Sequence, residues 1–238
     1  MYLPDTLNYI LFGYYPYLCL TVFLFGSLIR FEREQYTWRA ASSQILRKKQ
    51  LRWGSILFHA GIIFLFFGHL IGLLTPHWVY SPFISAENKQ WFAIITGGAA
   101  GVVCFVGLTM LLHRRLFDPR IFVTSTYQDI AVLLILWVQL TIGLVTLPYS
   151  VAHAEGGETM LRLSEWAQKI ATWQPGAAEL VQGLSWPYQV HLVLGMTIFL
   201  IFPFTRLVHV WSAPIWFLFR RGWQITRTNR RRPAGDAA

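Results

Sequence analysis

Five long apolar runs dominate this sequence and restrict it to a membrane fold. A helix needs about 20 residues to cross the roughly 30 Å of a bilayer's hydrocarbon. Only 13% of the 238 residues are charged, whereas a soluble domain carries about 25%. We therefore predict an all-α integral membrane protein with five transmembrane helices. The predicted spans are Leu7 to Ile29, Trp53 to Leu74, Trp91 to Leu112, Ile130 to Pro148 and Pro187 to about Phe204.

The basic residues between these runs predict how the chain is oriented. Of the 20 Lys and Arg residues, 17 lie on one side of the predicted spans and 3 on the other. Because basic segments stay in the cytoplasm, the N-terminus is predicted outside and the C-terminus in the cytoplasm. The charges lie between apolar runs rather than on one folded surface, so nucleic acid is not an expected partner.

The remaining segments complete the predicted domain organisation. Residues 1–225 are expected to form one five-span domain, and residues 226–238 a flexible basic tail. The fifth apolar pattern continues as an amphipathic helix to about Phe219, crossing Arg206. Between the fourth and fifth spans, apolar residues recur at helical spacing from Met160 to Trp173, which predicts a helix on the membrane surface.

Four histidines lie inside the predicted spans, where an ionisable side chain is costly without a partner. The second span carries His59 and His69, and the fifth carries His191 and His209. Because these spans run in opposite directions, His59 shares the cytoplasmic half with His209, and His69 shares the outer half with His191. The separations within a helix correspond to about 15 Å and about 27 Å. Their inequality requires tilt or a bend, and Pro203 lies between the second two histidines.

Two imidazoles on one haem iron fill both axial positions, which leaves electron transfer as the function. The sequence has no CxxCH motif for covalent haem attachment, and zinc or copper needs three or four ligands close together. The pattern therefore predicts two non-covalent haems b between the second and fifth helices. A transporter or proton channel with a histidine relay is the alternative. A passive anchor leaves the histidines unexplained.

The expected electron donor is a lipid-soluble quinol, whose oxidation beside the outer haem would release protons outside. Lys89 is the only basic residue between the second and third spans. It could donate a hydrogen bond to a quinone oxygen close to His69, or simply extend to the interface.

Small and basic residues near the histidines are further candidates. Missing side chains leave room for a flat ring, although glycines also allow close helix packing. The glycines are Gly68, with the best placement beside His69, and Gly61, Gly72 and Gly195. Arginines near the cytoplasmic ends could pair with haem propionates, or could lie there only to reach the interface. These arginines are Arg206, Arg114 and Arg115.

Several sequence blocks around the histidines occur together. They are QYTWRAASSQ (35–44), LFHAG (57–61), GH (68–69), LTPHW (74–78), HLVLGMT (191–197) and FPFTRLVH (202–209). In these blocks the chain resembles the gamma, or cytochrome b, subunit of membrane-bound respiratory nitrate reductase. The similarity extends from the N-terminal region to about Arg227.

The resemblance implies a five-span quinol dehydrogenase subunit in the bacterial cytoplasmic (inner) membrane, using menaquinol or ubiquinol. It implies two cytoplasmic partners, a beta subunit with iron-sulfur clusters and an alpha subunit whose molybdenum cofactor reduces nitrate to nitrite. The family's outer haem ligands correspond to His69 and His191, and its inner haem ligands to His59 and His209. Its quinol-site lysine corresponds to Lys89.

Overall fold

The described part of the chain is helical and contains the five predicted spans. The computed structural model describes residues 4–38, 48–212 and 219, and within these ranges there is no β-strand. The helices long and apolar enough to cross a membrane are α1 (Asp5–Arg33), α2 (Lys48–Leu74), α3 (Ala86–Phe117), α4 (Tyr127–Ala152) and a fifth span, Trp186–Phe204. The α-helix of this fifth span is α5 (Trp186–Ile201), and a 3₁₀ turn completes the span. The prediction of an all-α membrane protein with five spans is confirmed.

Shorter helices and 3₁₀ turns connect the spans at both ends of the bundle. The short helices are His77–Tyr80, Pro119–Val123, Glu158–Ala171 and Ala177–Val181. The 3₁₀ turns are Gln35–Thr37, Glu155–Gly157, Phe202–Phe204 and Arg206–Ser212. We call the end with residues 34–38, 118–126 and 205–212 the basic end, and the end with residues 75–85 and 153–185 the loop end.

Glycines bring α2 and α3 into close contact. A Cβ added to Gly61 would lie 2.5 Å from Cβ of Cys104, and one added to Gly107 would meet the backbone of Phe58. Backbones that approach so closely gain van der Waals contact, which drives helix association in lipid. Of the two alternatives for Gly61, the structure shows close helix packing, because the side chain of Cys104 fills the space beside it.

The Glu158–Ala171 helix packs against the bundle at the loop end. Its Trp166 is only 3% exposed and donates from Nε1 to the carbonyl of Phe12 at 3.0 Å. That carbonyl needs a donor because Pro16, four residues later, has no backbone N–H. The same helix reaches α2, where Gln168 donates to the carbonyl of Leu73 at 2.9 Å. The predicted helix is confirmed, and its place on the membrane surface stays a prediction.

The fifth span does not continue as one helix through its second histidine. After Ile201 the chain forms a 3₁₀ turn containing Pro203, and Thr205 is extended (φ −120°, ψ 176°). Arg30 of α1 donates to the freed carbonyls of Pro203 at 2.6 Å and Thr205 at 2.9 Å. The expected amphipathic helix to about Phe219 is thus corrected, because proline cannot continue the ladder.

Two predictions fall partly or wholly outside the described residues. Arg206–Ser212 forms a 3₁₀ helix, but residues 213–218 are not described. The tail of residues 226–238 also lies outside the described part, so its separation from residues 1–225 stays a prediction.

Candidate functional site

The structure brings His69 and His191 together near the loop end. His69 lies in the last turns of α2 and His191 in the first turns of α5, and their ring centroids are 6.2 Å apart with planes inclined by 40°. A metal held between two imidazoles lies about 2 Å from each nitrogen, which places the ring centroids about 6 Å apart. The observed separation therefore fits two imidazoles on either side of one ion.

In several of the histidines, Nδ1 is hydrogen-bonded to a backbone carbonyl, which leaves Nε2 as the nitrogen that could bind a metal. Nδ1 of His69 lies 2.7 Å from the carbonyl of Leu65, and Nδ1 of His59 lies 2.8 Å from that of Ser55. An Nδ1–H that donates to a carbonyl leaves the lone pair on Nε2 for a metal and fixes the ring orientation. Both rings thus have the tautomer that a ligand needs.

The second predicted pair, His59 and His209, lies toward the basic end. Nδ1 of His209 lies 2.6 Å from the carbonyl of Arg206, within the 3₁₀ turn that follows Pro203. No ring-to-ring contact like that of the first pair joins these two histidines in the described structure. The structure thus brings His69 and His191 into contact. His59 and His209 lie toward the same end of the bundle, each with its ring oriented by a hydrogen bond, but without contact between the rings.

A buried carboxylate that the sequence reasoning missed organises the basic end. Asp129 Oδ2 lies 3.1 Å from Nη1 of Arg115, and its Oδ1 lies 3.2 Å from Nη1 of Arg206. The Asp129 side chain is 10% exposed, and the residue also completes a capping box with Thr126 at the start of α4. The sequence signal that could have revealed Asp129 is the capping-box spacing of Thr126 and Asp129.

The three candidate arginines therefore lie in a structured, positively charged region. Arg114 and Arg115 are buried at the end of α3, and Arg206 reaches Asp129 from the segment after α5. Two guanidinium groups share the one Asp129 carboxylate, so this cluster carries more positive than negative charge. Such an excess suits an anionic group such as a carboxylate.

Near the loop end, Lys89 is half-buried, and its buried Nζ has an aromatic neighbour. Its Nζ lies 3.8 Å from the centroid of the Tyr80 ring. Neither Lys89 Nζ nor Tyr80 Oη has a hydrogen-bond partner in the described structure, and burial raises the pKa of Tyr80 above its usual value. A cation–π contact holds the ammonium, but its donors remain available for an incoming oxygen.

The candidate glycines differ in what surrounds them. A Cβ added to Gly68, next to His69, would meet nothing within 4 Å, and the same holds for Gly72. A Cβ added to Gly195 would lie 3.2 Å from Nε2 of Gln139. Gly68 and Gly72 thus border open space, whereas Gly195 accommodates an amide that the sequence reasoning did not consider.

Comparison with known proteins shows the family to which the chain belongs. The family model described as "Nitrate reductase gamma subunit" matches residues 8–229. The chain belongs to this gamma-subunit family. It is 48% identical over 221 residues to the respiratory nitrate reductase 1 gamma chain of Escherichia coli K12, covering 93% of this chain and 97% of that protein.

Two further gamma chains are similar over nearly their whole length. Identity to the respiratory nitrate reductase 2 gamma chain of Escherichia coli K12 is 49% over 224 residues, covering 94% of this chain and 98% of the relative. Identity to the nitrate reductase gamma chain of Bacillus subtilis 168 is 38% over 212 residues, covering 89% and 94%. The chain is thus a membrane-bound gamma subunit of a respiratory nitrate reductase, an oxidoreductase complex.

Proposed function

We propose that this gamma subunit is the quinol-oxidising dihaem cytochrome b of its complex. The observation that carries the proposal is the His69–His191 pair, one residue on each of the apolar helices α2 and α5, with ring centroids 6.2 Å apart. In a membrane interior, two such side chains are costly unless they share a partner. A haem iron between them supplies that partner.

The residues present fit two non-covalent haems b. His69 and His191 would hold the outer haem, and His59 and His209 the inner one. When bound, each haem takes up and releases one electron at a time. The open space beside Gly68 suits a flat ring. The position beside Gly61 does not, because Cys104 occupies it.

The positive cluster at the basic end would hold the propionates of the inner haem. Asp129 fixes Arg115 and Arg206 in place, and Arg114 is also buried at the end of α3. Charge-assisted hydrogen bonds from guanidinium groups to carboxylates are among the strongest available in a protein.

The substrate would be a membrane quinol, menaquinol or ubiquinol, bound near Lys89. The Lys89 ammonium, held over Tyr80, donates a hydrogen bond to one quinol oxygen and thereby orients the ring toward the outer haem. Oxidation to the quinone gives up two electrons and two protons. With the loop end facing outward, these protons leave on the outer side.

The proposed electron path ends at cytoplasmic partners. The haems held by His69 and His191 and by His59 and His209 would carry the electrons toward the basic end. An iron-sulfur beta subunit would accept them there and pass them to a molybdenum-cofactor alpha subunit that reduces nitrate. The basic end supplies the docking side, in agreement with the positive-inside distribution of Lys and Arg. This orientation has the N-terminus outside and the C-terminus in the cytoplasm.

Spectroscopy of the purified complex tests the proposal. We expect reduced-minus-oxidised spectra of two low-spin b haems that can be extracted without breaking a covalent bond. We expect His69→Ala to lose the outer haem selectively and to retain the inner haem and the cytoplasmic subunits.

The matched control is His153→Ala, a histidine at the same end that is exposed and bonded within its own helix. This variant should retain both haems. A preparation without haem would instead favour the histidine-relay transporter, and loss of only the inner haem from His69→Ala would contradict the pairing.

A further inference from the structure

Helices α4 and α5 meet through a reciprocal arrangement of two polar residues and two glycines. On α4, Gln139 is followed one turn later by Gly143, and on α5, His191 is followed one turn later by Gly195. Each polar side chain lies over the glycine of the other helix. A Cβ added to Gly143 would lie 2.9 Å from Cε1 of His191, and one added to Gly195 would lie 3.2 Å from Nε2 of Gln139.

The Gln139 amide contacts both the backbone and the ring of His191. Its Nε2 donates to the carbonyl of His191 at 3.1 Å and lies 3.5 Å from the ring Nε2. The ring therefore has an amide on one side and the bare backbone of Gly143 on another. Together these contacts limit rotation of the imidazole about its side-chain bonds.

His191 differs from the other three membrane histidines in its hydrogen bonding. His59, His69 and His209 each have Nδ1 within bonding distance of a carbonyl three or four residues earlier. In the described structure, Nδ1 of His191 is buried without a partner, and so is Oε1 of Gln139. Metal-binding histidines almost always have a hydrogen-bond partner that orients the ring. The contacts that restrain the His191 ring come instead from α4, through the Gln139 amide and the backbone at Gly143.

We propose that Gln139, with Gly143, is a positioning residue for His191 and fixes the plane of this imidazole relative to that of His69. The two planes are inclined by 40°. This inference rests on the proposed outer haem. It assigns to α4, which carries none of the four histidines, control over the geometry of one axial ligand.

Electron paramagnetic resonance of the complex provides the test, because the low-spin signal of a haem with two imidazole ligands depends on the angle between their planes. We expect Gln139→Leu, which removes the amide, to shift the outer-haem signal or cause selective loss of that haem. Gly143→Ala should have the same effect, because its methyl group displaces the ring. The inner-haem signal should stay unchanged in both variants.

Two variants control for general disturbance of the helices. Thr141→Val removes a polar group of α4 that bonds to its own helix, at the carbonyl of Trp137. Gly97→Ala adds a methyl group where nothing lies within 4 Å. Neither should change the outer-haem signal. If Gln139→Leu does not assemble, Gln139→Asn keeps the polarity but shortens the reach, and the same shift is expected.

The possible results separate this inference from the proposed function. Wild-type complex without haem would overturn both. Two normal haems in the wild type, together with unaltered outer-haem signals in the Gln139 and Gly143 variants, would overturn only the role of Gln139. Equal changes in both haem signals would also overturn it, because they indicate a general distortion of the bundle.

Discussion

Lys89 illustrates how much one buried cation contributes to a membrane site. Its ammonium lies against the Tyr80 ring and has no hydrogen-bond acceptor in the described structure. A cation–π contact stabilises such a group only in part. In the proposed function, these unused donors of Lys89 recognise a quinol oxygen.

We predict that Lys89→Met weakens quinol use without removing the haems. A hydrogen bond to a charged group contributes about 1.5–3 kcal/mol, so KM for quinol should rise about ten- to a hundredfold. Steady-state quinol oxidation measures this, and dithionite should still reduce both haems. Lys169→Met, which removes a lysine paired with Glu165 at the same end, should leave KM unchanged. Equal KM values for both variants would contradict the role of Lys89.

Asp129 shows that a single carboxylate can hold together three segments of the chain. It joins the end of α3, the start of α4 and the turn after α5 through Arg115 and Arg206. Removing one partner of a buried ion pair leaves an uncompensated charge. The same turn carries His209, so the carboxylate also steadies that histidine.

We predict that Asp129→Asn lowers the free energy of unfolding by about 3–5 kcal/mol. Thermal unfolding of the complex in detergent measures the loss. Glu165→Gln is the control, because it removes an exposed pair with Lys169 at 3.1 Å and should cost less than about 1 kcal/mol. If both variants lose the same free energy of unfolding, the buried Asp129 pairs stabilise the protein no more than an exposed ion pair does.

At the scale of helices, small residues determine which spans touch. Gly61 on α2 lets Cys104 of α3 approach closely, and Gly107 on α3 lies against the backbone of α2 at Phe58. Pro203 ends α5, and Arg30 from α1 binds the carbonyls that are left free. The two histidines of the fifth span therefore lie on two differently shaped segments, not on one straight helix.

We predict that Gly61→Leu destabilises the α2–α3 contact. A Cβ at this position already approaches Cys104 within 2.5 Å, and overpacking costs about 1–3 kcal/mol. Circular dichroism during heating should show a lower Tm. Gly97→Leu, on the open side of α3, serves as the control and should keep the wild-type Tm. The idea fails if the two variants unfold at the same temperature.

At the scale of the whole molecule, orientation follows from the distribution of charge. The segments on one side of the spans carry 17 of the 20 Lys and Arg residues. Basic loops are retained in the cytoplasm during insertion. The basic end and its inner histidines should therefore face the cytoplasmic partners.

We predict that a membrane-impermeant thiol reagent labels Gln174→Cys from outside intact cells and Arg120→Cys only in inverted vesicles. Both positions are exposed, at the loop end and the basic end respectively. The native Cys19 and Cys104 are buried, so they should give little background. Labelling with the opposite sidedness would reverse the orientation and the direction of proton release.

The sequence by itself determined the five spans and the opposite directions of the second and fifth, because hydrophobic length is a local property of the chain. Those directions suffice to predict that His69 and His191 lie in the same half of the bundle. The family follows from the blocks around these histidines.

Only the tertiary structure decided what surrounds them. Gln139 and Gly143 lie on a helix without any of the four histidines, and Asp129 is distant in sequence from Arg206. For Gly61 the sequence left ring space and helix packing open, and the structure packs it on Cys104. Contacts between helices depend on how each helix is rotated about its axis and how deep it sits in the membrane. The apolar pattern does not determine either when nearly every face of a helix is hydrophobic.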